Sequence, residues 1–278
     1  MAATGASAAE ALSAAADSFA AAGIETPRLD AEVLLGELAG VDRAALIADR
    51  GLTLEPAVSR AFAEAVRRRL RREPVAYILG SKGFRYIDLA VDQRVLIPRP
   101  ETEMLVELAL ELQPGSVLEI GTGSGAIALA VADELPEARV TATDVSDGAI
   151  EVAVANAGRL GVRDRVEFVL GSLPPGPASF DLILANLPYV PDADGLPPEV
   201  GEWEPAGALF GGPDGTDVIA EVLEGLNESG IEAPAVGLEI GQGQGEAVAE
   251  LLRRAGWPDT EVRLDLAGID RVVVGRKP

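Results

Sequence analysis

The first eighty residues space their apolar side chains as helices do. Ala8–Ala22 is an alanine-rich run that puts Leu12 and Phe19 on one face, and Gly23 ends it. Asp30–Ala39 groups Val33, Leu34, Leu35 and Leu38 ahead of Gly40. Pro56 stands near the start of a longer helix through Leu70, with Val58, Phe62, Ala65, Val66 and Leu70 facing inward. Together these segments predict a small helical bundle. From Gly83 the period changes. Phe84, Tyr86, Leu89 and Val91, followed by Val95–Ile97, predict a two-stranded hairpin turning at Asp92-Gln93 and ending at Pro98-Arg99-Pro100.

Beyond the hairpin, short apolar runs alternate with helical ones. Strands are predicted at Ser116–Ile120, Arg139–Thr143, Val166–Leu170, Phe180–Ala185 and Ala235–Ile240. Helices are predicted near 125–134, 147–160, 216–228 and 245–255. This alternation implies an α/β domain with a doubly wound, mostly parallel sheet. Glu261–Leu266 and Arg271–Gly275, joined around Gly268, close it as an antiparallel pair and bring the sheet to seven strands. The expected organisation is a helical domain over 1–82, a hairpin linker over 83–98 and a Rossmann-like domain over 99–278. The proline- and glycine-rich stretch Pro188–Gly215 reads as a long loop at the carboxyl end of a strand, where long loops are commonly functional.

Composition narrows the chemistry. The 278 residues are 48% apolar, enough for a real core, yet hold no uncharged apolar run of membrane-spanning length. Glu10 and Asp17 interrupt the N-terminal stretch where a signal peptide would be apolar, so a cytoplasmic protein without membrane attachment is expected. There is no cysteine and no histidine. Thiol nucleophiles, zinc-thiolate sites, histidine-ligated metals and Ser-His-Asp hydrolysis are thereby excluded, and no metal site is expected. A reaction without a strong base is favoured. The net charge is −22, unevenly spread: Met1–Asp88 holds 11 basic and 12 acidic residues, Leu89–Pro278 holds 12 and 33. So acidic a surface suits nucleic acid poorly. The one basic cluster, Arg67, Arg68, Arg69, Arg71 and Arg72, reads first as the solvated face of a helix, and otherwise as a contact for RNA or an acidic partner.

Two motifs carry the chemistry. In Val117-Leu118-Glu119-Ile120-Gly121-Thr122-Gly123-Ser124-Gly125 an apolar strand runs into a glycine-rich turn ahead of a helix. Glycine admits positive φ and close ligand approach, and a helix N-terminus offers free N–H groups. Asp144, at the end of the next strand, is placed to accept hydrogen bonds from ribose hydroxyls. A nicotinamide dinucleotide is one candidate ligand, but its G-x-G-x-x-G spacing is absent. The pattern is closer to the first motif of Rossmann-like methyltransferases. A second turn, Glu239-Ile240-Gly241-Gln242-Gly243-Gln244-Gly245, is read as structural, because one sheet rarely binds two nucleotides. The other decisive motif is Asn186-Leu187-Pro188-Tyr189. Asn186 Oδ1 and the Leu187 carbonyl can accept the two N–H bonds of a planar –NH2 group, and Tyr189 can stack on its plane.

Several stretches, in order along nearly the whole chain, resemble the release factor glutamine methyltransferases. They are Arg72–Gly80, Ile97–Glu103, Glu119–Gly125, Asn186–Tyr189, Trp203-Glu204-Pro205 and Asp265–Arg271. The runs I-P-R-P-E-T-E and R-E-P-V-A-Y-I-L-G are the most specific. The resemblance implies S-adenosylmethionine as cofactor and, as substrate, the glutamine of the Gly-Gly-Gln tripeptide in class-one peptide chain release factors, with a monomer expected. It implies that Glu119, Gly121, Thr122, Gly123, Gly125, Asp144, Ser172 and Asn186 form the cofactor side. Arg99, Glu101 and Thr102 would line the same cleft, and the helical domain would recognise the protein substrate. Two positions depart from the family pattern: Leu187, where it usually has proline, and Ser172, where aspartate is common. Asn-Leu-Pro-Tyr is also similar to ribosomal RNA adenine dimethyltransferases, so an adenine N6-methyltransferase acting on RNA or DNA is the alternative. A non-catalytic cofactor-binding module is a further one.

Overall fold

The computed structural model describes residues 7–48 and 52–278, so parts of the expected first domain lie outside the described residues. The chain divides into two compact units. One is Met1–Gly80 with Pro197–Trp203, and the other is Ser81–Leu196 with Glu204–Pro278.

The first unit is built on helices α1 (Ala8–Ala21), α2 (Pro27–Ala39), α3 (Arg43–Ala48), α4 (Pro56–Leu70) and α5 (Val75–Leu79). Ser7 starts α1 with a reciprocal cap: its Oγ accepts from the Glu10 N–H at 3.2 Å, and Glu10 Oε2 accepts from the Ser7 N–H at 3.1 Å. α2 begins at Pro27, earlier than the expected Asp30, because proline in the first turn has the helical φ built in and lacks only an N–H that would go unused. Leu12, Phe19, Leu34, Leu35 and Phe62 form the core.

The arginine cluster is only in part a solvated face: Arg67 and Arg71 are exposed, while Arg68, Arg69 and Arg72 are held by acidic partners. Arg69 is buried and donates to Asp30 at 2.7 Å and to Glu199 at 2.9 Å. Arg72 donates to Glu199 at 2.8 Å, and Arg68 to Glu73 at 2.8 Å. Glu199 comes from the long loop, in a segment that the sequence pattern did not assign to this unit.

The second unit opens with the hairpin β1 (Ser81–Phe84) and β2 (Ile87–Ala90), which turns at Arg85-Tyr86 with φ +48° at Arg85. The expected turn at Asp92-Gln93 does form, with the Val95 N–H donating to the Asp92 carbonyl at 3.1 Å, but no strand follows it. Pairing Phe84 with Ile87 and Lys82 with Leu89 buries Phe84, Ile87 and Leu89 on one side, which the later turn would not do.

There follow α6 (Glu103–Leu112), β3 (Ser116–Ile120), α7 (Ala126–Glu134), β4 (Arg139–Asp144), α8 (Asp147–Leu160) and β5 (Val166–Leu170). Next come the two-residue β6 (Ala178–Ser179), β7 (Leu182–Ala185), the short α9 (Pro198–Gly201), which belongs to the first unit, then α10 (Asp217–Ser229) and β8 (Ile231–Glu232), which pairs with β6. The chain ends with β9 (Ala235–Glu239), α11 (Gly245–Arg254), β10 (Asp259–Leu264) and β11 (Asp270–Arg276). α6 went unrecognised in the sequence, although Leu105, Val106, Leu108 and Ala109 are spaced to bury one helical face and do so.

The seven-stranded sheet has the order β10-β11-β9-β7-β3-β4-β5. β9, β7, β3, β4 and β5 are parallel, and β11 runs antiparallel to both its neighbours. Leaving β3, the chain winds outward through β4 and β5, then crosses back to β7 on the other side of β3. This reversal opens a crevice beyond the carboxyl ends of β3 and β7, where doubly wound sheets bind ligands. Among the described residues no helix is long and apolar enough to cross a membrane.

Candidate active site

The glycine turn after β3 is held from below. The N–H groups of Gly121 and Thr122 both donate to the Thr143 carbonyl at 2.9 Å, which ties the turn to β4. Gly121, Gly123 and Gly125 have φ of +76°, +55° and +86°, so side chains would be strained there. A Cβ on Gly121 would stand 3.3 Å from the Leu187 side chain, and one on Gly125 would strike Leu129 at 2.8 Å. At Gly123 the same space is open.

Glu119 is buried beneath the turn and accepts from Thr122 Oγ1 at 2.5 Å and the Ala128 N–H at 3.1 Å. Burial pushes its carboxyl up to about 8, against the pull of those donors. Asp144 accepts from the Gly123 N–H on Oδ2 and from the Ser146 N–H on Oδ1, both at 2.9 Å. Each of its oxygens keeps a second lone pair for another donor.

Asn186 follows β7 directly. Its Nδ2 donates to Thr102 Oγ1 at 3.0 Å, which leaves Oδ1 as its free acceptor. The Leu187 carbonyl accepts no hydrogen bond among the described residues. Tyr189 donates its hydroxyl to Glu239 Oε1 at 3.3 Å, and burial raises its phenol, so it stays neutral.

These groups meet at a cavity of about 630 Å³, within the ~300–1,000 Å³ typical of small-molecule sites. Its wall is formed by Glu119 and Gly121–Ser124, by Asp144–Ser146, by Gly171–Leu173, and by Thr102 with Asn186–Pro188. Leu96, Pro98, Val218 and Val222 give it apolar sides. Gly125, Arg99, Glu101 and Tyr189 are not on that wall. Gly125 lies behind the turn, where its missing side chain lets α7 start. Arg99 is turned to Glu204 at 2.6 Å, whose other oxygen accepts the Ile97 N–H at 3.0 Å. Glu101 stands close enough to Glu239 to oppose its ionisation.

The second glycine turn is occupied by the protein itself. Asp270 accepts from the N–H groups of Gly243 at 3.0 Å and Gly245 at 3.1 Å. Gln244 accepts from the Gly241 N–H at 2.8 Å and donates to the Tyr189 carbonyl at 2.9 Å. This turn therefore braces the loop that carries Pro188 and Tyr189.

Several residues of the site went unseen in the sequence. Asn156, fully buried on α8, donates to the Ser124 carbonyl at 2.9 Å and the Ala90 carbonyl at 3.0 Å, and accepts from the Ala90 N–H at 2.8 Å. It fastens the glycine turn to β2. Glu204, Glu239 and Gln244 act in similar ways. Glu204, Glu239 and Gln244 left a trace as members of sequence motifs, without a role that the pattern could assign.

Comparison with known proteins agrees with this architecture. A model of the PrmC N-terminal domain matches residues 10–80, and one of a methyltransferase domain matches residues 117–197. The chain is 44% identical over 264 residues to a release factor glutamine methyltransferase of Geobacter sulfurreducens, covering 91% of each chain. It is 43% identical over 273 residues to one of Moorella thermoacetica, covering 94% of this chain and 95% of that one. Among solved structures, the hMettl16 catalytic domain aligns with a TM-score of 0.53 at 15% identity, over 68% of this chain and 75% of that one. A methyltransferase from Pyrococcus furiosus aligns at 0.50 and 20% identity, over 69% and 89%. At these identities the structural likenesses speak for the fold alone.

Proposed function

This chain belongs to the release factor glutamine methyltransferase family, and we propose that Asn186 Oδ1 and the Leu187 carbonyl hold the substrate glutamine amide while it is methylated. The enzyme is an S-adenosylmethionine-dependent protein-glutamine methyltransferase acting on release factors. The cavity suits that cofactor: positive-φ glycines open on one side, Asp144 has lone pairs left for ribose hydroxyls, and Val145, Leu96 and Leu173 offer apolar surface for an aromatic base. Gly121, Gly123, Asp144 and Ser172 are the residues we assign to hold it. When bound, it supplies an electrophilic methyl group.

The protein must make a poor nucleophile attack. An amide nitrogen delocalises its lone pair into its own carbonyl. Two acceptors, Asn186 Oδ1 and the Leu187 carbonyl, take the two amide hydrogens and fix the direction in which the nitrogen lone pair develops. The methylated nitrogen is cationic at first and strongly acidic, so its proton can leave to water. A chain without histidine can run this reaction.

The free Asn186 Oδ1 beside the glycine turn is the observation that carries this reading. The adenine alternative is not favoured, since the curated relatives quoted above are glutamine methyltransferases. We assign the helical unit to recognition of the intact factor, and expect a cytoplasmic monomer. Incubating the enzyme with methyl-labelled cofactor and a class-one release factor, then mapping the label by peptide mass spectrometry, tests the reading. The label is expected on the Gly-Gly-Gln glutamine; label on another residue, or only on RNA, would refute it.

A further inference from the structure

A buried acid stands behind the site. Glu239 ends β9, next to β7 in the sheet, where Leu238 pairs with Ala185 one residue before Asn186. Glu239 is 1% exposed. Oε1 accepts from the Tyr189 hydroxyl, and Oε2 is buried with no hydrogen-bond partner. The neighbouring Thr102 hydroxyl stabilises its charged form. A buried carboxylate is costly unless something is gained by keeping it.

We propose that Glu239, acting through Thr102, holds the Asn186 amide in the orientation that presents Oδ1 to the substrate nitrogen. The proposal rests on Asn186 being the residue that receives that nitrogen.

A carboxylate can only accept. Thr102 has one hydroxyl hydrogen, and with Glu239 charged that hydrogen is drawn to the carboxylate. Thr102 Oγ1 is then an acceptor toward Asn186, so Nδ2 must face it, as observed at 3.0 Å. Oδ1 is left for the substrate. With Glu239 neutral this bias disappears: Thr102 can donate to Asn186 Oδ1 instead, and the amide can turn to present Nδ2. Two –NH2 groups would then face each other, and the substrate could not be held. Glu239 is a positioning residue in this scheme, since it touches neither substrate nor cofactor.

The titratable groups around it are Tyr189 after β7, Glu101 before α6 and Arg271 on β11. Burial, helped by Glu101, pushes Glu239 up to about 7 against the pull of Thr102, Tyr189 and Arg271. The ionisation that fixes the polarity therefore falls near neutrality, and turnover should rise with it.

The test uses the full-length enzyme with intact release factor. The variants are Glu239→Gln, Thr102→Val, Thr102→Ser and, as reference, Asn186→Ala. Glu239→Gln and Thr102→Val are each expected to lower kcat by about tenfold, the size of one hydrogen bond lost in orienting a reacting group. Calorimetric affinity for S-adenosylmethionine and the melting temperature should stay near the parent's. Thr102→Ser, which keeps the hydroxyl, should restore kcat. The double variant should be no worse than either single one, because the two act in one chain. The acid limb of the kcat profile near neutrality should vanish in Glu239→Gln. If Glu239→Gln and Thr102→Val turn over like the parent while Asn186→Ala is inactive, the proposal is wrong and the reading of Asn186 stands. If kcat, cofactor affinity and melting temperature all fall together, Glu239 is merely structural and the proposal is likewise wrong. An active Asn186→Ala variant would bring down the reading of the site, and this proposal with it.

Discussion

At the end of β7, two adjacent positions use different parts of themselves. Asn186 works through its side chain, held by Thr102, while Leu187 works through its carbonyl and buries its side chain in the core against Gly121. Asn186→Ala should therefore cost about 10²-fold or more in kcat, the range seen when an orienting contact is lost. Leu187→Pro keeps the carbonyl and should stay within a few-fold of the parent in turnover. It gives up buried apolar surface, so a melting-temperature drop equivalent to roughly 1 kcal/mol is expected. Steady-state kinetics and thermal melts on both variants check this, and an equal loss of turnover would show that the residue-187 side chain matters to the chemistry. The departure from the family's usual proline is thus compatible with activity, for a backbone reason.

Elements of nearly identical sequence do different work. Both glycine turns follow a Glu-Ile-Gly at the end of a parallel strand, yet Asp144 leaves the first open to a ligand and Asp270 closes the second. Asp144→Ala should weaken S-adenosylmethionine binding by roughly 1–3 kcal/mol, as expected for lost charge-assisted hydrogen bonds. Asp270→Ala should lower the melting temperature and leave that affinity close to the parent's. Calorimetry showing the reverse would exchange the roles of the two turns.

Helix α4 presents a similar contrast within one run of arginines. Arg68 is paired with Glu73 and also donates to the Tyr77 and Ile78 carbonyls, whereas Arg71 is exposed at the helix end. Arg68→Glu should therefore destabilise the fold. Arg71→Glu should leave the melting temperature alone and raise KM for the intact factor more than for a Gly-Gly-Gln peptide. An unchanged KM ratio would remove α4 from substrate recognition.

For the molecule as a whole, buried carboxylates without an arginine partner set a pH dependence opposite to that of the arginine-paired ones. Glu119 moves from 4.5 to about 8, so the folded chain holds that proton more tightly than the unfolded one. Its contribution to stability is full below the unfolded value and is lost as pH rises through about 8. Glu32, Glu199 and Asp265 are lowered and work the other way, losing stability as pH falls. Glu119→Gln keeps the shape and removes the titration. Denaturant melts across this window should show a shallower loss of stability from mildly acidic to mildly alkaline pH in the variant. Parallel curves for variant and parent would mean that Glu119 is not protonated in the folded protein.

The pattern of the chain alone was enough to establish the helical bundle, the strands Ser116–Ile120 and Val166–Leu170, the helices Asp147–Leu160 and Pro56–Leu70, and the two motifs that flank the cavity. These are local matters: apolar period, caps and turn chemistry act within a few residues, and the order of strands and helices leaves few ways to wind a sheet. Tertiary structure alone decided which carboxylate serves which turn, that Arg69 is buried against Glu199 from 130 residues away, and that Thr102 rather than Arg99 or Glu101 reaches Asn186. It also moved the hairpin turn from Asp92-Gln93 to Arg85-Tyr86. The reason is physical. A polar side chain takes its role from its partner and its degree of burial, and both depend on which distant segments the packed core brings beside it. Asp144 and Asp270 both end up holding glycine turns, and only the surroundings of each turn decide that one stays open to a ligand while the other is closed.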